Sequence, residues 1–178
     1  MTTKICLITL LAALLVANKA EAAGQYWSTP AAGCVPDSTS ITNQRYVSNA
    51  VGAVLHRPGN LDLITLNCPI TGFHGSGDGP NRMTMTYRDS TSTLDTAAFV
   101  RATLTRTPKA TGASPTPIAT LSSETPPAPQ TITTASTPVF THTFDFENNF
   151  YFVRVELDRR TTSQIVIVFG VYLYRYIP

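Results

Sequence analysis

Charged side chains are scarce in this 178-residue sequence. Asp, Glu, Lys and Arg make up 13% of the residues, and the formal net charge is +2. Nowhere do Lys or Arg residues form a run, and the densest basic spot, Arg159 and Arg160, directly follows Asp158. Nucleic acids and anionic lipid surfaces bind proteins through clustered positive charge. We therefore expect no nucleic-acid partner.

Recognisable catalytic motifs are also lacking. The chain contains no G-x-S-x-G sequence, and its nearest nucleophile and base, Ser76 and His74, stand in a glycine-rich loop that gives no fixed geometry for proton transfer. Glycoside hydrolases use paired carboxylates, but Asp145 and Glu147, two residues apart, are typical of a solvated strand face. We predict a protein without enzymatic activity, and a hydrolase is the least favoured alternative.

Long apolar runs are missing, except near the first residue. Residues 5–17 are apolar, Lys4 precedes them, and small residues follow at Ala20 and Ala22. This pattern predicts a secretory signal peptide over residues 1–22, with an apolar stretch too short to span a bilayer comfortably. An uncleaved anchor is the alternative. We expect residues 23–178 to form a single domain that does not insert into a membrane after cleavage.

Cysteine is rare, with three residues in the chain. Cys6 lies inside the predicted signal peptide, which leaves Cys34 and Cys68. In an exported protein an isolated pair favours a disulfide, and this one would stabilise the fold by about 3–4 kcal/mol through loop closure. A metal site is the alternative, but it needs about four ligands, and the three histidines form no ligand-like spacing.

Helical periodicity is absent after the signal peptide, whereas alternation of apolar and polar residues recurs. Residues 106–138 hold seven prolines and predict two long loops around one short strand. The pattern indicates about eight strands in an all-β, antiparallel sandwich of the jelly-roll type. The predicted strands are 51–56, 61–67, 83–87, 97–105, 118–121, 139–147, 151–158 and 164–174.

Particular faces of these strands are expected to point inward. In the segment 61–67 we expect Leu61, Leu63 and Leu66 to be buried. In the segment 151–158 one face alternates with charged positions and is expected to point inward; its residues are Tyr151, Val153, Val155 and Leu157. The last strand is apolar in both registers through Val171, which predicts a position near the middle of a sheet. Its predicted inward residues are Ile165, Ile167, Phe169, Val171 and Leu173.

Candidate ligand residues are aromatic or oxygen-bearing. Exposed aromatic rings on a rigid β face suit a carbohydrate, although a structural role for Trp27 at the end of the sandwich is the alternative. Asp145, Glu147 and Asn148 stand together at a predicted turn and suit a structural calcium ion; a solvated surface is the alternative, and no other cofactor is expected. The aromatic candidates are Tyr26, Trp27, Phe73, Tyr87 and Tyr172.

Three short motifs carry a family resemblance: GCVPDS at residues 33–38, NCPI at 67–70 and MTYRDS at 85–90. With the ending VRVELDR…GVYL, the chain resembles a group of uncharacterised exported bacterial β-sandwich proteins. The resemblance implies a secreted or periplasmic location, a compact β domain and a bond between Cys34 and Cys68. It brings no known activity and assigns no role to any residue.

Two functions from different classes follow from these features. A structural subunit that packs with copies of itself at the cell surface is favoured by the low charge and the high Ser and Thr content. A carbohydrate-binding or other ligand-binding module is the alternative, favoured by the aromatic candidates.

Overall fold

The computed structural model describes residues 24–73, 79–90, 98–124 and 131–177. The predicted signal peptide and the pair His74 and Ser76 lie outside these described residues. Two antiparallel sheets contain almost all of the regular structure. The helical elements are a 3-10 turn at Ala31–Gly33 and one short helix, α1, at Ser38–Thr42.

Eleven strands are present in the described part of the chain. In chain order they are β1 Gln25–Pro30, β2 Val35–Pro36, β3 Tyr46–Ser48, β4 Val54–His56, β5 Ile64–Ile70, β6 Arg82–Asp89, β7 Phe99–Pro108, β8 Thr116–Ser122, β9 Thr133–Ser136, β10 Asn149–Asp158 and β11 Val166–Tyr174.

The strand order is that of a jelly roll. The six-stranded sheet has the order β3-β4-β11-β6-β9, with β1 also paired to β11, and the five-stranded sheet has the order β2-β5-β10-β7-β8. If β4 to β11 are counted as first to eighth, the two sheets read first-eighth-third-sixth and second-seventh-fourth-fifth. The predicted fold is confirmed. Seven of the eight predicted strands correspond to observed ones, and the strands that were not predicted are β1, β2, β3 and β9.

Alternation along β10 supplies much of the core. Tyr151, Val153, Val155 and Leu157 are buried, as predicted. The inward side of β7 opposes them within the same sheet, where Leu104 pairs with Val153. Each fully buried aliphatic side chain contributes roughly 1.5–3 kcal/mol, so these two central strands form the framework on which the outer face of the sheet is held.

Strand β11 lies at the centre of the six-stranded sheet, as predicted, but its inward register is wrong in the first half. Val166 and Val168 are buried, whereas Ile165 is exposed and Ile167 and Phe169 are half-buried. The reason is a bulge between Val168 and Gly170 that shifts the register against β6. After the bulge, Val171 and Leu173 are buried as predicted.

Gly170 has a packing role at this bulge. A Cβ atom there would lie 2.8 Å from the carbonyl oxygen of Thr29 on β1. The glycine therefore allows the backbones of β1 and β11 to approach each other closely.

Three other strand predictions are wrong in part. Leu61 and Leu63 are exposed, because β5 begins only at Ile64 and its inward residues are Ile64, Leu66, Cys68 and Ile70. Residues 139–147 form a loop rather than a strand, since no neighbouring strand pairs with them. The proline-rich region 106–138 contains two strands, β8 and β9, because prolines fit at sheet edges. Within the described residues, no helix is long and apolar enough to cross a membrane.

His56, at the end of β4, is buried with 3% of its surface exposed. Its Nε2 lies 3.1 Å from the carbonyl oxygen of Asp62, which fits a neutral ring that donates from Nε2. Within the described chain Nδ1 is buried without a hydrogen-bond partner. Burial, and after it the charge of Arg159, lowers the pKa of His56 to about 4. The folded state therefore favours the neutral ring.

This burial predicts a pH-dependent stability. Because the folded pKa of about 4 lies below the ordinary value of 6.5, the unfolded chain binds more protons between these values. The contribution of His56 is fully present above about pH 6.5 and is lost as the pH falls toward 4. We expect His56→Gln to show a shallower fall of Tm across this range in thermal unfolding. Identical slopes for the two proteins would contradict this role.

Candidate functional site

A groove lies on the outer face of the five-stranded sheet, with a volume of about 640 Å³. Sites for small ligands or peptide segments are commonly of this size. Its apolar surface is formed by Val35 on β2, Pro69 on β5, and Phe150 and Phe152 on β10. We call these four side chains and the space between them the groove.

The first residues of β10 place aromatic rings on the outer face. Since Tyr151 and Val153 point into the core, Phe150 and Phe152 point outward. Phe150 is 60% exposed, while Phe152 is half-buried and pairs across the strands with Pro69. Further along β10 the outward positions become Arg154 and Glu156, so the aromatic surface is confined to the beginning of the strand.

A covalent bond holds the opposite side of the groove. Cys34 and Cys68 form a disulfide, as predicted, with a Cα–Cα distance of 4.3 Å. The next residue after each cysteine lies in the groove: Val35, which is 58% exposed, and Pro69. The motifs GCVPDS and NCPI thus meet at this place in the fold.

One end of the groove is formed by Lys109 and the turn that precedes β10. The Lys109 ammonium donates to the carbonyl oxygen of Phe146 at 2.7 Å and lies 5.1 Å from the ring centroid of Phe150. The backbone N–H of Lys109 donates to the carbonyl oxygen of Asn148. Asn67, Thr71 and Asn149 add polar groups along the groove. Its lining contains donors and acceptors but no carboxylate.

The three calcium candidates lie in that same turn. Asp145 Oδ1 accepts from the backbone N–H groups of Glu147 and Asn148, both at 3.1 Å, and Oδ2 accepts from Asn148 Nδ2 at 2.8 Å. The hydrogen bond from the Asn148 side chain is the largest cause that lowers the pKa of Asp145. In the described ranges no group of three or more His, Cys, Asp or Glu side chains could hold a metal ion. Calcium binding stays a prediction.

The five aromatic candidates do not share one surface. Tyr26 and Tyr87 are 6% and 1% exposed, so their prediction as exposed rings is wrong, because both belong to the interior. Phe73 packs edge-on against Phe144 and Phe146, with ring centroids 4.7 and 5.0 Å apart. Trp27 is half-buried and packs against the core.

Tyr172, the fifth candidate, lies on the outer face of the six-stranded sheet. Its ring centroid is 6.2 Å from that of Tyr174, and the guanidinium of Arg82 lies 4.4 Å from the ring centroid of Tyr176. The hydroxyls of Thr84 and Ser136 are 2.8 Å apart beside them. We call Tyr172, Tyr174, Tyr176 and Arg82 the tyrosine face.

The groove residues were missed as a site in the sequence. The sequence feature that could have revealed them is the segment FYF at 150–152, where β10 is apolar on both faces. Further along the strand the outward positions are occupied by the charged residues Arg154 and Glu156. That change of polarity along one face distinguishes a local outer patch from a strand buried on both sides. Val35 and Pro69 become recognisable only through the pairing of β2 with β5.

Comparison of the chain with protein-family models, with curated proteins and with solved structures found no match in any of the three. The groove and the tyrosine face are therefore interpreted from their chemistry alone.

Loss of the disulfide is expected to lower the stability of the protein and to loosen the β2 side of the groove. We expect the double variant Cys34→Ser/Cys68→Ser to lower the free energy of unfolding in urea by about 3–4 kcal/mol, because the closed loop no longer restricts the unfolded chain. Since β2 has only two residues, its amide exchange should also accelerate at Val35 and remain slow at Val153. Equal unfolding free energies, or unchanged exchange at Val35, would contradict this account.

Proposed function

We propose that this protein is an exported, non-enzymatic structural subunit that associates with copies of itself through the groove. The observation that supports the proposal is the exposure of Phe150 and Val35, 60% and 58%, which both line the groove on one β face. A large apolar side chain forgoes roughly 1.5–3 kcal/mol when it stays in water. Clustered exposure of this kind is typical of surfaces that contact another protein.

The placement of these residues on strands favours binding. The rings of Phe150 and Phe152 are positioned by β10, which pairs with a neighbour on both sides. A contact surface that is already rigid loses little conformational entropy when a partner binds. The formal net charge of +2 adds little repulsion between copies. Export is supported by the predicted signal peptide and by the disulfide, since such bonds persist in oxidising compartments.

Self-association through the groove predicts a concentration-dependent mass. In sedimentation velocity we expect the wild-type protein without its signal peptide to form oligomers as its concentration rises. Phe150→Ser and Val35→Ser should each raise the dissociation constant roughly tenfold, the effect of losing about 1.4 kcal/mol at an interface.

The matched control is Val51→Ser. Val51 is 70% exposed and lies outside the groove, so its substitution should leave the oligomers intact. A wild-type protein that stays monomeric at every concentration would refute the proposed function. So would equal weakening by Val51→Ser and Val35→Ser, because general surface polarity would then explain the effect.

Carbohydrate binding is the second candidate function, and the tyrosine face supports it. Tyr172 and Tyr174 present neighbouring rings, and Arg82 and Ser136 place a donor and a hydroxyl beside Tyr174. Sugars stack their apolar faces on aromatic rings and hydrogen-bond at the edges. This surface lies on the opposite sheet from the groove, so the two functions are separable by mutation.

A glycan array tests this second candidate. We expect Tyr172→Ala to abolish any signal that the wild-type protein gives, since it removes one of the two neighbouring rings. Phe150→Ser, on the other sheet, is the control and should keep the signal. Absence of binding by the wild-type protein, or equal loss in both variants, would exclude the tyrosine face as a sugar site.

A further inference from the structure

We propose that the groove of one copy binds the proline-rich segment 125–130 of a second copy, so that the copies join head to tail. The inference rests on the proposed self-association and specifies its two contact surfaces. The segment reads TPPAPQ, with three prolines and no charged residue. It connects β8 to β9, the edge strands of the two sheets on one side of the sandwich.

The groove has the chemistry that proline-rich segments require. Such segments bind in extended form between aromatic side chains, which pack against the flat faces of the proline rings. Phe150 and Phe152 supply the aromatic walls, and Pro69 and Val35 continue the apolar surface. The exposed fraction of Phe150, 60%, leaves one face of its ring available.

Hydrogen bonding is complementary as well. Proline has no backbone N–H, so a proline-rich segment offers more acceptors than donors. The groove supplies side-chain donors from Asn67 and Lys109 and contains no carboxylate that would compete for them. An uncharged segment also avoids the cost of bringing a second positive charge near Lys109.

The described residue that precedes the segment, Glu124, lies far from the Phe150 end of the groove in the same copy. Its side chain bonds Arg101 at 2.6 Å, and Arg101 pairs with Glu156 on β10. Glu156 and Phe150 are six residues apart on β10, a distance of about 20 Å. The eight residues from Glu124 to Thr131 have a fully extended length of about 29 Å at most, which is too short to run from Glu124 to Phe150 and back. A second copy must therefore supply the segment.

This arrangement is directional. Each copy uses one surface to receive and a different one to donate, so the contact is heterologous and leaves a free groove at one end and a free segment at the other. Repetition of the contact gives open chains or rings rather than only a closed pair.

Two complementary variants test the proposal by sedimentation velocity. The segment variant is Pro126→Ser/Pro127→Ser/Pro129→Ser, and the groove variant is Phe150→Ser. Each alone should be monomeric at concentrations where the wild-type protein forms chains. An equimolar mixture should form a 1:1 dimer and nothing larger, because the segment of the groove variant fits the intact groove of the segment variant.

The outcomes separate this inference from the proposed function. Chains formed by the segment variant as readily as by the wild-type protein, with a monomeric groove variant, would overturn head-to-tail joining and retain self-association through the groove. Two monomeric variants that do not combine would also overturn it. A monomeric wild-type protein would refute both. Circular dichroism melting of each variant checks that it is folded, and a Thr125→Ser variant is the control that keeps every proline.

Discussion

The bond between Cys34 and Cys68 is the constraint on which the outer surface of the five-stranded sheet depends. Strand β2 is too short to stay in place through two residues of backbone pairing alone. The cystine holds it against β5, and this places Val35 beside Asn67. The two cysteines belong to the interior, but the residues that follow them face outward, so one covalent link serves both stability and surface shape.

Strand β10 contributes to the core and the groove with alternate residues. Tyr151 points inward, and its hydroxyl accepts from the backbone N–H of Asp145 at 3.0 Å, which fixes the turn at the end of the groove. The outward neighbours Phe150 and Phe152 are held in position because Tyr151, which lies between them in the strand, is buried. Any change of core packing at Tyr151 would therefore alter the groove, whereas polar substitution of Phe150 would leave the core nearly unaffected.

Local alternation predicted the sandwich, its central last strand and the inward residues of β10, because a period of two directly reports a half-buried strand. The inward register of β11 could not be derived, since this strand is apolar on both faces and the local sequence does not report the bulge between Val168 and Gly170, which lies where β1 approaches closely. The groove could likewise not be predicted from the sequence. Its members Val35 and Phe150 are 115 positions apart in the chain, and only the sheet order brings them together.

The position of β11 has a consequence for how the molecule is made. Among the strands of the described residues this one comes last, yet it lies in the interior of its sheet and pairs with β1, β4 and β6. A chain synthesised only as far as β10 can pair β3 with β4 and β6 with β9, but it lacks the strand that joins these two pairs and β1 into one sheet. The six-stranded sheet is therefore completed only after residue 174 has been synthesised, and closure of the jelly roll depends on contacts between residues far apart in the chain.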